Sequence, residues 1–379
     1  MLRDRETSLE YISGSFSAQL PHTAKPYSSR AWGHPLHSLC SYQGKLKPAL
    51  AHWLVRHFTG AHDHLLDPLG GVGTVAFEGS LLGRRSFSCD LSPFASTVAR
   101  AKLAPPTSVE LKLGLVEFFS QLEKATLHSD DVSAAEFGLN ATVKDYYHPK
   151  TLEEILKARR IFGRDNLTDV QIFLKASLLH LLHGNRPYAL SRTSHPITPF
   201  SPSGPFEYRS LEGRLSSRCE RLAALVYPSE FKPGMSWNCD FRQLSDLLPT
   251  QVDAVICSPP FPGMRFDRPN WLRLWFCGWT QADFHQTSRN FLERQQGKNF
   301  DVYNDFFSMC SAVTKPFSPV LLHVGGSKAY DMAARLVSIG SKYLKHRSTI
   351  TEDVAHIEKH GIRDKGTTSE HIILVFERI

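Results

Sequence analysis

The stretch His64-Leu65-Leu66-Asp67-Pro68-Leu69-Gly70-Gly71-Val72-Gly73-Thr74 decides how this chain folds. His64-Leu65-Leu66 is a short apolar run of the kind that forms a buried strand. Asp67-Pro68 stops it, because proline has no N–H to give to a sheet. The glycines at 70, 71 and 73 let the backbone turn through positive φ and let a ligand lie close to the main chain. Thr74 to Leu82 reads as a helix, with Gly83 as its αL cap. The first N–H groups of such a helix lack intrahelical partners and attract a carboxylate or phosphate.

Outward from this unit the pattern repeats. Ser86 to Asp90 reads as a second strand and about 93–103 as a second helix. Asp90 ends that strand roughly 20 residues after the glycine turn, where a carboxylate can bind ribose hydroxyls. This much also fits a dinucleotide enzyme, although Gly-Gly-x-Gly is not G-x-G-x-x-G. Upstream, apolar residues at 46, 50, 53, 54 and 58 have helical spacing, and Pro48 suits a first turn. Alternation of strand and helix implies a parallel sheet covered by helices.

Pro105-Pro106 marks a boundary. Beyond it, helices are expected at 109–126, 151–161, 168–183 and near 208–225, with a Pro/Ser/Thr/Arg/His-rich stretch from Pro187 to Pro205. A segment this long inside an α/β chain is an insertion with its own task. The α/β pattern resumes with a strand-like patch at 237–239 leading to Asp240, a strand at 253–257, a helix near 303–315, and strands at 320–324 and 372–376. Trp271, Trp275 and Trp279 stand at helical spacing and read as a packed apolar stripe. Residues 1–40 show no clear periodicity and read as a loosely structured arm that folds over a site.

The strand at 253–257 runs into Ser258-Pro259-Pro260-Phe261. Two prolines end the strand abruptly and leave a stiff, extended loop. A flat base can stack on Phe261 while the loop's carbonyls and the Ser258 side chain accept hydrogen bonds from an exocyclic amino group.

Bulk properties narrow the class. A chain of 379 residues has room for about two structural units, and 41% hydrophobic residues supply a real core. No apolar run approaches the length of a membrane span, and Met1 to Glu6 carries no apolar signal core, so neither a membrane helix nor secretion is expected. Seven dispersed cysteines without a CxxC pair read as reduced thiols of a cytoplasmic protein and argue against structural zinc; no metal is expected. The net charge of +7 permits a polyanionic partner. Residues 141–221 hold 13 Lys/Arg against 8 Asp/Glu, so much of the surplus lies in the insertion.

With these pieces in order, the chain resembles the S-adenosylmethionine-dependent DNA amino-methyltransferases, the cytosine-N4 and adenine-N6 group. Their cofactor loop looks like D-P-F-x-G-x-G-T, matched by Asp67 to Thr74 with Leu69 at the Phe position and Gly70 at the variable one. Their upstream segment looks like Y-x-G-K-x-x-P-x-L-A, matched by Tyr42 to Ala51. Their catalytic loop is (D/N/S)-P-P-(Y/F/W), matched by Ser258 to Phe261, and Cys239-Asp240 sits where an acid precedes the catalytic strand. The resemblance covers about 41–103 and 237–376, and three motifs in fixed order are far more specific than any one. Leu182 to Pro199 also looks like part of one branch of the group.

The resemblance implies an α/β, Rossmann-like methyltransferase fold with a mostly parallel sheet and a largely helical insertion. It divides the chain into an arm (1–40), a cofactor-binding half (41–106), an inserted candidate DNA-recognition region (107–235) and a catalytic half (236–379). Gly70, Gly71 and Gly73 would cradle the methionine part of S-adenosyl-L-methionine, with Asp67 and Pro68 at its amino group. Asp90, with Leu91 beside it, would hold the ribose, and Asp240 the adenine amino group. Tyr42 and Lys45 would close over the cofactor, with Thr74 at the helix start. Ser258, Pro259, Pro260 and Phe261 would hold a flipped base. Serine at 258 rather than aspartate leans toward cytosine N4 over adenine N6. Double-stranded DNA is the implied partner, contacted by Arg186, Arg192, His195 and Arg265, with a cognate restriction endonuclease or defence-system partner a further implication.

Two other classes compete. RNA or tRNA guanine-N2 methyltransferases use similar catalytic loops but carry a separate N-terminal RNA-binding domain, for which the residues before Tyr42 leave no room. A catalytically inactive nucleic-acid-binding module of the same fold is the other, and the intact glycine and Pro-Pro loops argue against it.

Overall fold

Leu65 and Leu66 are adjacent in the chain and face opposite ways, as neighbours in a strand must. In a computed structural model describing residues 8–326, 331–354 and 369–379, each enters a different apolar core. Their strand, β1 (His64–Asp67), lies in a seven-stranded sheet with β2 (Arg85–Asp90), β3 (Met235–Asn238), β4 (Ala254–Cys257), β5 (Pro319–Gly326), β6 (Lys345–Asp353) and β7 (Glu370–Glu377). The spatial order is β3-β2-β1-β4-β5-β7-β6. The first five strands are parallel, and β7 runs antiparallel to both β5 and β6. The fold is therefore mixed α/β and Rossmann-like with a mostly parallel sheet, as expected.

Helices cover both faces. Helix α1 (Leu9–Gln19) and α2 (Pro48–Phe58) pack on the face holding Leu65, Ala254, Ile256 and Leu321. The helix Val302–Val313 and the helix Met332–Gly340 pack on the face holding Leu66, Val255 and Leu322. Helix α3 (Thr74–Leu81) returns the chain from β1 to β2, and α4 (Pro93–Leu103) follows β2. Pro48 and Pro93 occupy helix first turns, where a missing N–H costs nothing. The Ser92 hydroxyl caps α4 by accepting the Ala95 N–H. Gly83 takes φ +79°, the left-handed geometry expected of it.

The insertion is helical, with α5 (Ser108–Lys124) and the helices Pro149–Phe162, Asp169–Leu181 and Leu211–Ala223. These share one apolar core with α3, α4 and the short helix Trp271–Phe276 from beyond β4. The three tryptophans are packed as expected, Trp271 and Trp275 on the helix and Trp279 beyond its end at Phe276. Arg273, in the same helix, is buried too and donates to the Leu179 carbonyl at 3.2 Å, Asn270 Oδ1 at 3.1 Å and Ser41 Oγ at 2.7 Å. One guanidinium thus ties the insertion to the segment before α2.

The loosely structured arm is corrected. Residues 1–7 lie outside the described residues, but Leu9–Gln19 is a helix that packs on β6 and α2, away from the cleft described below. Leu9, Ile12 and Phe16 are spaced three and four apart and buried against the sheet. β6 was also missed: it is an edge strand of polar residues, with Ile350 its one apolar residue. Among the described residues no helix is long and apolar enough to cross a membrane.

Phe16 is fully buried and packs edge-on to His57 and against Phe58. Phe16→Ala is expected to lower the unfolding free energy by roughly 3–5 kcal/mol in urea titrations. Wild-type stability of that variant would mean the arm is not docked.

Candidate active site

The strand order reverses between β1 and β4, and in open α/β sheets ligands bind at the carboxyl ends of strands where this happens. Asp67 ends β1 there. Gly70 donates its N–H to the Cys89 carbonyl at 2.9 Å, joining the glycine turn to the end of β2. A Cβ at Gly70 would lie 2.0 Å from Ser88 Oγ, so no side chain fits. Gly73 caps α3 with φ +71°, and a Cβ there would meet Ala99 at 2.8 Å. The Asp90 carboxylate accepts the Gly71 N–H on one oxygen and the Ser92 N–H on the other, each at 2.8 Å.

Beside this turn lies a solvent-open cleft. Of the residues expected to hold a cofactor, Asp67, Pro68, Gly70, Gly71 and Thr74 line it from the first strand–turn–helix unit. Asp90, Leu91 and Asp240 line it from the ends of β2 and β3, and Tyr42 and Lys45 from the segment before α2. Gly73 does not line the cleft; it sets the close approach of α3 to α4. Tyr42 stacks on Phe266, ring centroids 5.5 Å apart and planes 7° from parallel, forming an aromatic wall. Lys45 Nζ donates to the His37 carbonyl at 3.0 Å, and burial lowers its pKa. The Asp240 carboxylate is already engaged: Arg242 Nη1 donates to both its oxygens, at 3.1 and 2.9 Å.

Ser258 and Pro260 open onto the same cleft, so the Pro-Pro loop and the glycine turn meet in one site. The loop is braced from behind. Gln296 Nε2 donates to the Pro260 carbonyl at 2.9 Å, and Tyr303 O–H donates to Gln296 Oε1 at 2.9 Å. Ser258 Oγ lies 3.0 Å from Nδ1 of buried His323, and the half-buried Phe261 ring is 5.8 Å from the His323 ring.

Four site residues escaped the sequence reading: Phe266, Glu293, Gln296 and His323. Glu293 lines the cleft opposite the glycine turn, and its Oε1 accepts the Phe266 N–H at 3.2 Å. None belongs to a motif, and each comes from a segment far from the residues it serves. The apolar run Val320-Leu321-Leu322-His323-Val324, with a polar residue set in a buried strand, was the one available signal, for His323.

The residues expected to touch DNA divide. Arg186 is exposed. Arg192 is drawn inward: Nε donates to the Gly204 carbonyl at 2.8 Å, Nη1 to the Asp145 carbonyl at 3.0 Å, and its guanidinium lies 4.2 Å from the Phe206 ring centre. His195 Nδ1 accepts the Ile197 and Thr198 N–H groups at 3.3 and 3.2 Å, shaping its own loop. Arg265 forms a two-bond pair with buried Asp267, at 3.0 and 2.8 Å.

Comparison with known proteins gives short or distant likenesses. No protein-family model matches the chain. Over 96 residues it is 26% identical to the type II methyltransferase M.MjaII of Methanocaldococcus jannaschii, a stretch covering 25% of this chain and 18% of that protein. The chain thus matches under a fifth of that relative's length. The rRNA methyltransferase aviRa from Streptomyces viridochromogenes superposes with a TM-score of 0.37 at 12% identity, over 91% of each chain. TrmN from Thermus thermophilus gives a TM-score of 0.35 at 13% identity, over 89% of this chain and 50% of that one.

The donor set fits S-adenosylmethionine. Three carboxyl groups line the cleft, Asp67 and Glu293 buried and Asp90 half-buried, and desolvation pushes their pKa values up to about 8 for Asp67, about 7 for Glu293 and about 6 for Asp90. Such a site favours a ligand bringing positive charge, and this one carries an ammonium and a sulfonium. The glycine turn allows close backbone approach, and the first N–H groups of a helix such as α3 attract a carboxylate.

The same burial sets a pH dependence. A carboxyl whose folded pKa lies above its unfolded value binds protons better in the folded chain, so its contribution is intact near pH 4 and is lost as pH rises through the folded value. For Glu293 that window runs from 4.5 to about 7. Glu293→Gln is expected to unfold at higher urea concentration than the wild type at pH 8, with the gap closing by pH 5. An equal change at both pH values would show that the carboxyl is not the source.

Proposed function

We propose that this protein is an S-adenosylmethionine-dependent methyltransferase acting on an exocyclic amino group of a base flipped out of DNA, with cytosine N4 favoured over adenine N6. The observation that carries the reading is that Ser258 and Pro260, from the stiff loop after β4, open onto the same cleft as Asp67, Gly71 and Asp90. The match over 96 residues to a type II methyltransferase is in keeping with it.

Gly70, Gly71, Asp67 and the start of α3 would hold the methionine end of the cofactor, Asp90 the ribose, and the Tyr42–Phe266 wall would border the cofactor cleft. When bound, the cofactor supplies an electrophilic methyl group on sulfur. An exocyclic amino nitrogen is a weak nucleophile because its lone pair is delocalised into the ring. The Ser258 hydroxyl and the Pro259 carbonyl accept its hydrogens, which favours a pyramidal nitrogen with an exposed lone pair. Phe261 stacks on the base. Prolines 259 and 260 and the Gln296–Tyr303 brace hold this geometry in advance, so positioning supplies much of the rate. Exposed Arg186 is free to contact DNA from the insertion, whereas Arg192 and His195 are engaged with main-chain groups of the insertion.

Plasmid DNA and total RNA incubated with the protein and labelled cofactor are expected to yield N4-methylcytosine from DNA by nucleoside mass spectrometry. N6-methyladenine would overturn the choice of base, and a labelled RNA nucleoside with clean DNA would overturn the substrate. Ser258→Ala and Phe261→Ala should lower transfer by about 10²-fold or more with cofactor affinity nearly unchanged. Asp90→Ala should weaken cofactor binding by about 10- to 100-fold.

Binding of a cationic ligand beside carboxyls raised to about 6, 7 and 8 lowers those values and expels protons. Calorimetry in buffers of different ionisation enthalpy should therefore detect proton release, with affinity rising between pH 6 and 8. Proton uptake would contradict this site.

A further inference from the structure

We propose that His323 receives the proton lost by the target amino group, by way of the Ser258 hydroxyl; this rests on the amino-methyltransferase reading above. The need is chemical. Methylation of a neutral amino nitrogen leaves it positively charged, and one N–H proton must depart. A carboxylate at the first position of the loop could keep that proton. A serine hydroxyl cannot, and must pass it on.

The sheet supplies the acceptor. Cys257 pairs with Leu322 in the β4–β5 ladder, so the residues that follow, Ser258 and His323, lie side by side. Ser258 Oγ is 3.0 Å from His323 Nδ1 and 3.2 Å from the His323 carbonyl oxygen. The imidazole is 4% exposed, and its Nε2 has no hydrogen-bond partner among the described residues. Behind it stands His371, rings edge to face with centroids 4.8 Å apart. His371 Nδ1 is 3.6 Å from Glu352 Oε2, which also pairs with His22 Nε2 at 3.0 Å. The ionisable groups bearing on His323 are thus His371 from β7, Glu352 from β6, His22 from the arm, and Lys47. Glu352 is the one anion among them and favours positive charge on the ring.

The step balances. The N–H bond of the methylated nitrogen breaks and leaves its electron pair on nitrogen. That proton goes to Ser258 Oγ as Ser258's own hydrogen goes to His323 Nδ1. The products are a neutral amine, a neutral serine and an imidazolium. When the base leaves, the reverse hand-over at Ser258 delivers the proton to water. Burial lowers the His323 pKa to about 3, so the ring does not retain the proton at neutral pH. The methylated amino cation is a far stronger acid, so the transfer still runs downhill. His323 acts through Ser258 and is in that sense a positioning residue, not one that touches the base.

Two proton arrangements share these heavy-atom positions, and only one permits the relay. In ¹⁵N-histidine NMR of the ligand-free protein, His323 is expected as the Nε2–H tautomer, with an Nδ1 signal that moves in Ser258→Ala. An Nδ1–H tautomer would overturn the proposal, because Ser258 could not then donate to it. With methyl transfer by the wild type in hand, His323→Asn should lower kcat about 10²-fold with the cofactor Kd unchanged. Ser258→Ala combined with His323→Asn should be no slower than Ser258→Ala alone. Losses that multiply, or a wild-type kcat in His323→Asn, would overturn the relay. Absence of any transfer by the wild type would overturn the methyltransferase reading and the proton step with it, and the tautomer would still show whether the Ser258–His323 hydrogen bond exists.

Discussion

The Asp90 carboxylate receives one N–H from the glycine turn and one from the start of α4. This joint works only because β1 and β2 are parallel neighbours in a register that pairs Asp67 with Ser88, so that β2 runs two residues past the end of β1 and brings Asp90 to the glycine turn. Two main-chain donors are satisfied by one half-buried carboxylate. Asp67 and Glu293 are desolvated in the same cleft. The site is thus built as a concentration of weakened acids around a main-chain cradle, an arrangement that favours a ligand carrying positive charge.

The second half of the site depends on a different constraint. β4 lies at the reversal of strand order, and its ladder with β5 stops at the Cys257–Leu322 pair although β5 runs on to Gly326. Two prolines suit that position because neither brings an N–H that would go unpaired. Rigidity then comes from the side, through Gln296 and Tyr303, and from His323 beneath Ser258. The loop is held before any substrate arrives, which is the condition for catalysis by alignment.

The insertion is bound into the rest of the molecule through Arg273. This buried cation is partnered by a helix carbonyl, an asparagine and a serine, and its guanidinium also lies over Phe94, 5.2 Å from the ring centre. Removing those partners would leave an uncompensated buried charge, so the insertion, α4 and the segment before α2 hold one another in place. The position of the insertion surface relative to the cleft is set by this core.

What was legible in the sequence follows from how local each signal is. The Gly70–Gly73 turn, the Pro259-Pro260 stop, the helix over Pro93–Leu103 and the tryptophan stripe each announce themselves within a dozen residues, because positive φ, a missing N–H and a 3.6-residue period are local properties. The α/β alternation that places Asp67, Asp90 and Ser258 at strand ends follows from the same signals. Helix α1 was not legible, because its stripe is three residues long and is completed only by the face of β6 it covers. β6 was not legible, because an edge strand of charged and polar residues carries almost no alternation. Glu293, Gln296 and His323 belong to no motif; their roles arise where a loop, a helix turn and a neighbouring strand converge on one cleft. Sequence alone determined which short segments must turn, stop or bind. Only the tertiary structure decided which carboxyls lose water together and which histidine stands behind Ser258, because burial and cross-strand neighbours depend on residues distant in the chain.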